Sequence, residues 1–337
     1  MVFLKDTILK ELQTNPVTQQ MIHFGNNIGN LFPNEEALCL ASAFQMDKKT
    51  RIVVKKNRYE AQQLYQRLQP LVDDALLFVM EESLRVQAIA SSPEDKQEQI
   101  YVLTQLVKED KPRIIVCNTA AFFRYLPDRE LFKSLCFQFE VDQEISMSEL
   151  KRILNRAGYT KVNYVDRPCT YASRGGIVDV YCLEYEHPIR IEFFDTVIES
   201  IRLFHEETQR TIKTIDSVFI NPATDLLFTD EQINYLQKEI DKELEKQQTK
   251  LIPDDYEFLL DYIEKDKISL ENYDIDPHLY IYYSYLKANK LTDYVNGNII
   301  FSSLRQLELN DIQRPYDQYP YQSIVRNARV YECSRCP

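Results

Sequence analysis

The sequence predicts an α/β protein, and three observations carry that expectation. Strand-length aliphatic runs alternate with helical periods between residues 51 and 117, and a denser set of strands occupies residues 162 to 220. After Asn221-Pro222 the helical period returns and leads to one further strand. Elements of both kinds in this order fit layered α/β architecture better than a bundle or a sandwich.

Ile52 to Val54 reads as the first strand, and Ala61, Leu64, Tyr65 and Leu68 follow at helical spacing before a second strand, Leu76 to Met80. Ser92 ahead of Pro93, Glu94 and Asp95 is a strong helix start: the hydroxyl caps free amides, and proline and acids suit the first turn. That helix is predicted to run to about Lys108, and Arg113 to Cys117 supplies a third strand. Strands separated by helices favour a parallel sheet with right-handed crossovers.

A second unit is expected to begin near Cys136 with a short strand. Ser146 and Glu149 stand at capping-box spacing before Leu150, Ile153 and Leu154, and Gly158 suits the end of that helix. Closely spaced strands follow at Ile177 to Tyr181, Ile189 to Phe194, Val197 to Phe204 and Val218 to Ile220. Thr229 and Gln232 are placed to cap a helix with Ile233, Leu236, Ile240 and Leu244 on one side, its EIDKELEKQQTK charges being a solvated face. Helices around 254 to 264 and 278 to 287 precede Asn296-Gly297 and a last strand, Ile299 to Phe301. The expected domains are 1–135, 136–222 and 223–337, the first and third completing one α/β unit around a β-rich insert.

Composition bounds the function. A chain of 337 residues exceeds the size at which one core stops growing, which favours two or three compact units. A net charge of -12 disfavours broad wrapping of nucleic acid, which needs Lys and Arg to displace counterions from phosphates. Seven cysteines at irregular positions do not suggest a disulfide framework, and MVFLKDTILKELQ carries charges where a signal peptide needs an apolar run. The expectation is a cytoplasmic protein with no membrane span.

Only six glycines occur, at 25, 29, 158, 175, 176 and 297, so neither GxxxxGK[ST] nor GxGxxG can be drawn. No catalytic residue and no cofactor is expected. The histidines at 23, 187, 205 and 278 are not paired at ligand spacing, and the CxxC of Cys333 and Cys336 has no companion pair to complete a zinc site. No metal site is expected.

The most informative stretch is YASRGGIVDVYCLEYEHPIRIEFFDTVIESIRLFHEETQRT, residues 171–211. Strand alternation puts Ile189, Ile191 and Phe193 on one face and Arg190, Glu192 and Phe194 on the other. The first set is a candidate core. The second joins an arginine and an aromatic to a charged surface, a composition enriched at protein interfaces. Composition alone leaves another reading open, in which Phe194 packs under a loop and Arg190 pairs with Glu192 or Asp195.

The words RGGIVDVY, EHPIRIEFFD, ESIRLF and ETQRT, in this order and spacing, resemble the UvrB-homology region of the bacterial transcription-repair coupling factors. KNRYEAQQLYQRL, SSPEDKQEQIYVL, AGYTKVNYV, NPATD and LTDYVNGNIIF extend the resemblance over roughly residues 40 to 305. It implies a degenerate helicase-like (RecA-like) parallel-sheet domain, parts 1A and 1B, split by a smaller α/β domain 2 with β-hairpins. It also implies that domain 2 binds the excision-repair protein UvrA, with the contact surface falling on Arg174, Arg190 and Phe194.

The family's RNA polymerase contact and its ATP- and magnesium-dependent translocation on double-stranded DNA are implied for downstream parts of such proteins, one of which can pack back on domain 2. Where active UvrB carries a P-loop, this chain reads NEEALCLASAFQMDKKTRIVV, and Ser302-Ser303 follows the last strand where a motor has acids for magnesium. About a dozen residues separate Met80 from Pro93, too few for UvrB's DNA-clamping hairpin. The leading expectation is therefore a UvrA-docking module without an ATPase site. The alternatives are a UvrB- or helicase-type nucleotide-dependent enzyme and an autoinhibitory module packing on the translocase of an intact factor.

Overall fold

A computed structural model describes residues 2–23, 31–80, 93–274 and 276–301. The cap at Ser92, the Ser302-Ser303 pair and the Cys333/Cys336 motif lie outside the described residues. The chain divides into two compact units: Met1–Arg124 with the segment beginning at Lys290, and Tyr125–Asn289.

The first unit is built on β1 (Arg51–Lys55), β2 (Ala75–Phe78) and β3 (Ile114–Asn118), joined by the closing strand Asn298–Phe301. The closing strand pairs with β1, β1 with β3 and β3 with β2, all parallel. Ile299 lies opposite Ile52, so strands from distant parts of the sequence meet in one sheet. Nearly every residue of β1, β2 and β3 is buried, as expected of parallel strands covered on both faces. Val53, Leu77 and Val116 share a core with helices Pro33–Asp47 and Arg58–Leu68, while helix Pro93–Lys108 packs against β2. Arg51 is fully buried at the start of β1, its guanidinium held by both carboxylate oxygens of Asp47 at 2.9 and 2.8 Å.

The second unit contains a two-stranded ribbon, β4 (Phe137–Glu140) with a distant partner, and a six-stranded sheet. The sheet comprises β5 (Thr160–Lys161), β6 (Thr170–Arg174), β7 (Ile177–Tyr181), β8 (Ile189–Phe194), β9 (Val197–Phe204) and β10 (Thr211–Ile215), in spatial order from β10 back to β5. β11 (Ser217–Ile220) then returns to pair antiparallel with β4. Three strands of the insert begin and end where the hydrophobic pattern places them: β7, β8 and β9. β6 and β10, rich in Thr, Ser and Lys or Arg, lack the apolar run that would have announced them.

Helix Met147–Arg156 buries Leu150 and Leu154. Ser146 caps it by accepting from the Glu149 amide at 3.1 Å, but the reciprocal half of the expected capping box is absent, because the Glu149 carboxylate turns to Arg152 at 2.6 Å. Gly158 takes φ +82° just after the helix, and a Cβ there would collide with the Thr224 side chain. Thr229 and Gln232 form the full reciprocal box at the start of helix Asp230–Gln248.

The expected helix at 278–287 is instead a 3-10 helix, Pro277–Tyr285. Side chains three apart eclipse in a 3-10 helix, and the rings of Tyr280 and Tyr283 meet at 5.6 Å while those of Tyr282 and Tyr285 meet at 6.4 Å. Helix Pro253–Glu271 packs beside helix Asp230–Gln248, both sharing a core with this turn. Asp266, buried on the first of these helices, accepts from Tyr282 Oη and meets His278 Nε2, each at 2.6 Å, and Asp276 takes the other imidazole nitrogen at 2.7 Å. Burial alone would lower the pKa of His278, but the two carboxylates outweigh it and raise the value.

Candidate protein-docking site

Alternation along β8 holds as the sequence predicts. Ile189 and Ile191 are fully buried and Phe193 nearly so, whereas Arg190 and Glu192 are half-exposed and Phe194 is 74% exposed. Burying a ring of that size is worth roughly 1.5–3 kcal/mol, so Phe194 has apolar surface to offer a partner.

Arg174 ends β6 directly opposite Ile177 of β7, and Ile177 stands opposite Glu192 of β8, which faces Ser200 of β9. Arg174 therefore shares a row with Glu192. The side chain of Arg174 is exposed and makes no ion pair or hydrogen bond among the described residues. Gly175, at φ +58°, makes the turn from β6 to β7, and the Gly176 carbonyl accepts from the Phe193 amide at 2.8 Å. The glycine pair makes the turn, and the bulge in this part of the sheet lies elsewhere, between Glu192 and Phe193 against β9. Arg174 and Phe194 thus sit at two hairpin tips at the same end of the sheet, the second tip being the Asp195-Thr196 turn.

Arg190 is placed differently. Its Nε and Nη2 donate to the two carboxylate oxygens of Asp179 at 2.7 and 2.8 Å, and Nη2 also donates to Gln209 Oε1 at 2.8 Å. The guanidinium lies over the buried ring of Phe204, 4.3 Å from its centroid. Its pKa is raised above the usual arginine value chiefly by the hydrogen bonds it donates to the Asp179 carboxylate. Neither Glu192 nor Asp195 is the ion partner. Glu192 is held by Arg202 and by Ser200 Oγ, the latter at 2.9 Å.

Among the described residues the face is therefore a lattice of paired charges, Arg190 with Asp179 and Arg202 with Glu192, with the uncommitted Arg174 and the bare ring of Phe194 at its end. Sequence reading located Arg174, Arg190 and Phe194 but not Asp179, Gln209 or Arg202. Asp179 stands opposite Arg190 on the neighbouring strand, and Arg202 opposite it on the other side. Pairing register decides both, and it depends on which residues of two strands face each other rather than on either strand read alone. Gln209 lies within the ETQRT word but at φ +60°, where turn geometry rather than strand alternation aims its side chain.

In the first unit, the start of helix Pro33–Asp47 carries Glu35 and Glu36. Glu35 accepts from the Phe32 amide at 3.0 Å, and Glu36 is paired with Lys55 at 2.9 Å. Carboxylates already occupy the electropositive helix end and neutralise the nearby lysine. Among the described residues no cluster of three or more His, Cys, Asp or Glu is arranged to hold a metal, and no helix is long and apolar enough to cross a membrane.

Comparison with known proteins centres on this same sheet. Residues 137–226 match the family model described as the UvrB interaction domain. The chain is 34% identical over 253 residues to a transcription-repair-coupling factor of Bacillus subtilis, covering 74% of this chain and 21% of that protein. Transcription-repair-coupling factors of Staphylococcus epidermidis and Staphylococcus haemolyticus are each 30% identical, over 81% and 63% of this chain and 24% and 18% of those proteins. The chain spans about a fifth to a quarter of the length of the curated relatives it matches.

Proposed function

We propose, from the premise that this chain is a homologue of the transcription-repair-coupling factors and carries a UvrB interaction domain, that the tip of its six-stranded sheet docks UvrA. In a complete coupling factor this contact would bring excision repair to a stalled RNA polymerase. The polymerase contact and the ATP-driven DNA translocase belong, in this proposal, to other parts of such proteins.

The observation that carries the reading is the pairing of exposed Phe194 with uncommitted Arg174 on adjacent hairpin tips, inside the matched domain. An exposed ring can fill an apolar pocket, and a free guanidinium can grip a carboxylate with two hydrogen bonds. Both groups stand on a strand framework that loses little entropy on binding.

In the same proposal the first unit is a degenerate helicase-like domain that serves as scaffold and holds neither ATP nor magnesium. Glu35 and Glu36 at the start of helix Pro33–Asp47 support this, because a phosphate there would meet two carboxylates instead of bare amides. Calorimetric titration of the chain with UvrA from the same organism should give saturable binding, and repetition with ATP and magnesium should give no heat of binding. A flat UvrA titration would overturn the docking role, and ATP turnover would overturn the scaffold role.

A further inference from the structure

The hydrogen bonds around Arg190 divide the docking face into two kinds of residue. Arg174 offers an unspent charge. Arg190 has already spent its own: two bonds go to Asp179, a third goes to Gln209, and one face of the guanidinium is covered by Phe204. A partner carboxylate approaching Arg190 meets a guanidinium neutralised by Asp179, so the electrostatic gain is small unless that pair opens.

Gln209 shows what the arrangement does instead. It sits in the β9–β10 turn with φ +60°, its amide donating to the His205 carbonyl at 2.7 Å. Its side-chain nitrogen donates to the Glu206 carbonyl at 2.8 Å while its side-chain oxygen accepts from Arg190. The turn is closed again by the His205 amide on the Arg210 carbonyl at 2.9 Å. Arg190 therefore ties β7, its own strand β8 and the 205–210 turn into one rigid surface.

We infer that Arg190, Asp179 and Gln209 act as a single positioning unit for docking, holding the face in shape, while Arg174 and Phe194 make the contact. The inference rests on the docking reading above. It reverses the sign of one experiment. If Arg190 touched a partner carboxylate, removing the Asp179 charge would free the guanidinium and strengthen binding. If Arg190 positions the face, the same change loosens it and weakens binding.

The test is titration of the whole chain with UvrA at two salt concentrations, with melting temperatures measured in parallel. Arg174→Ala and Phe194→Ala should each weaken binding about 30-fold, and Arg174→Ala should also flatten the salt dependence of association. If neither affects binding, the docking reading itself fails. Asp179→Asn should weaken binding roughly fivefold with an unchanged salt slope, and adding Arg190→Ala to it should cost nothing further, because coupled groups are non-additive.

Gln209→Gly removes the side chain while suiting the positive φ, and it should weaken binding in the same direction and speed amide exchange in residues 205–210 of the free chain. Should Asp179→Asn melt below the assay temperature, Gln209→Gly decides alone. Binding as tight as or tighter than wild type in Asp179→Asn, with a steeper salt dependence, would overturn the inference. So would full additivity with Arg190→Ala, or a Gln209→Gly variant with unchanged affinity and exchange.

Discussion

The two sheets of this protein use similar residues for opposite ends. In the parallel sheet of the first unit, Ile52, Val53 and Val54 are all fully buried in succession, as are Ile114 to Cys117. In the antiparallel sheet of the second, β8 alternates: Ile189 and Ile191 are sealed while Arg190, Glu192 and Phe194 look outward. Helices on both sides leave a parallel strand no free surface. A sheet covered on one side keeps a face for polar lattices and contacts. The difference teaches where to look for function: in a continuous apolar run any exposed group is a defect, whereas in an alternating strand the outward set is available for recognition.

That contrast can be broken most forcefully in the parallel sheet. Ile115 is fully buried on the strand between β1 and β2. Ile115→Ala should cost about 2–5 kcal/mol in denaturant unfolding, from lost transfer energy and the cavity left behind. A loss under about 1 kcal/mol would mean the parallel sheet is not the core described. Gly158→Ala comes next, since it forces a side chain into φ +82° against Thr224. We expect a loss of about 1–3 kcal/mol, measured the same way, and a neutral substitution would contradict the close approach.

A smaller effect concerns His278, where the structured unit meets pH. Its folded-state pKa lies above the ordinary histidine value because Asp266 and Asp276 outweigh the cost of burial. The stability this contributes is fully present below the unfolded pKa and is lost as pH rises through the folded one. Melting temperatures between pH 5.5 and 9 should fall more steeply with rising pH for wild type than for His278→Gln. Identical slopes would show that the imidazole does not titrate as the geometry implies. The smallest effect is expected at Phe194, whose removal should change unfolding free energy by less than about 0.5 kcal/mol because the ring has so few neighbours to lose.

Much of this was legible in the sequence, for identifiable reasons. β7 and β8 were readable to the residue because Val, Ile and Phe recur at period two between turn residues, whereas β9, which buries Ile198, Ile201 and Phe204, was readable as an apolar-rich run of strand length after the Asp195-Thr196 turn. The outward facing of Arg190 and Phe194 followed from the same period. The 3-10 turn at Pro277–Tyr285 was not readable as such, because a short aromatic run fits either helix type until hydroxyls and His278 find partners on helix Pro253–Glu271. The commitment of Arg190 to Asp179 was also hidden. The eight acids of residues 171–211 look alike in sequence, and only the pairing of β7 with β8 selects one.

The chain's two compact units also cut the sequence differently from its hydrophobic rhythm. The segments 1–135, 136–222 and 223–337 follow changes in periodicity. The compact units follow contacts, and Tyr125–Asn289 group with the β-rich part while the described residues from Lys290 to Phe301 group with the parallel sheet. Periodicity reports the type of each element and says nothing about which core it joins.

The central claim is that the exposed residues at the tip of the alternating sheet, and not the paired charges that hold its face, make the contact that carries recognition. The measurement that tests it most directly is the affinity of Phe194→Ala for UvrA set beside its melting temperature. The account predicts a loss of about 2 kcal/mol in binding with an unchanged melt. Wild-type affinity in a folded Phe194→Ala variant would contradict it and leave this sheet as scaffold.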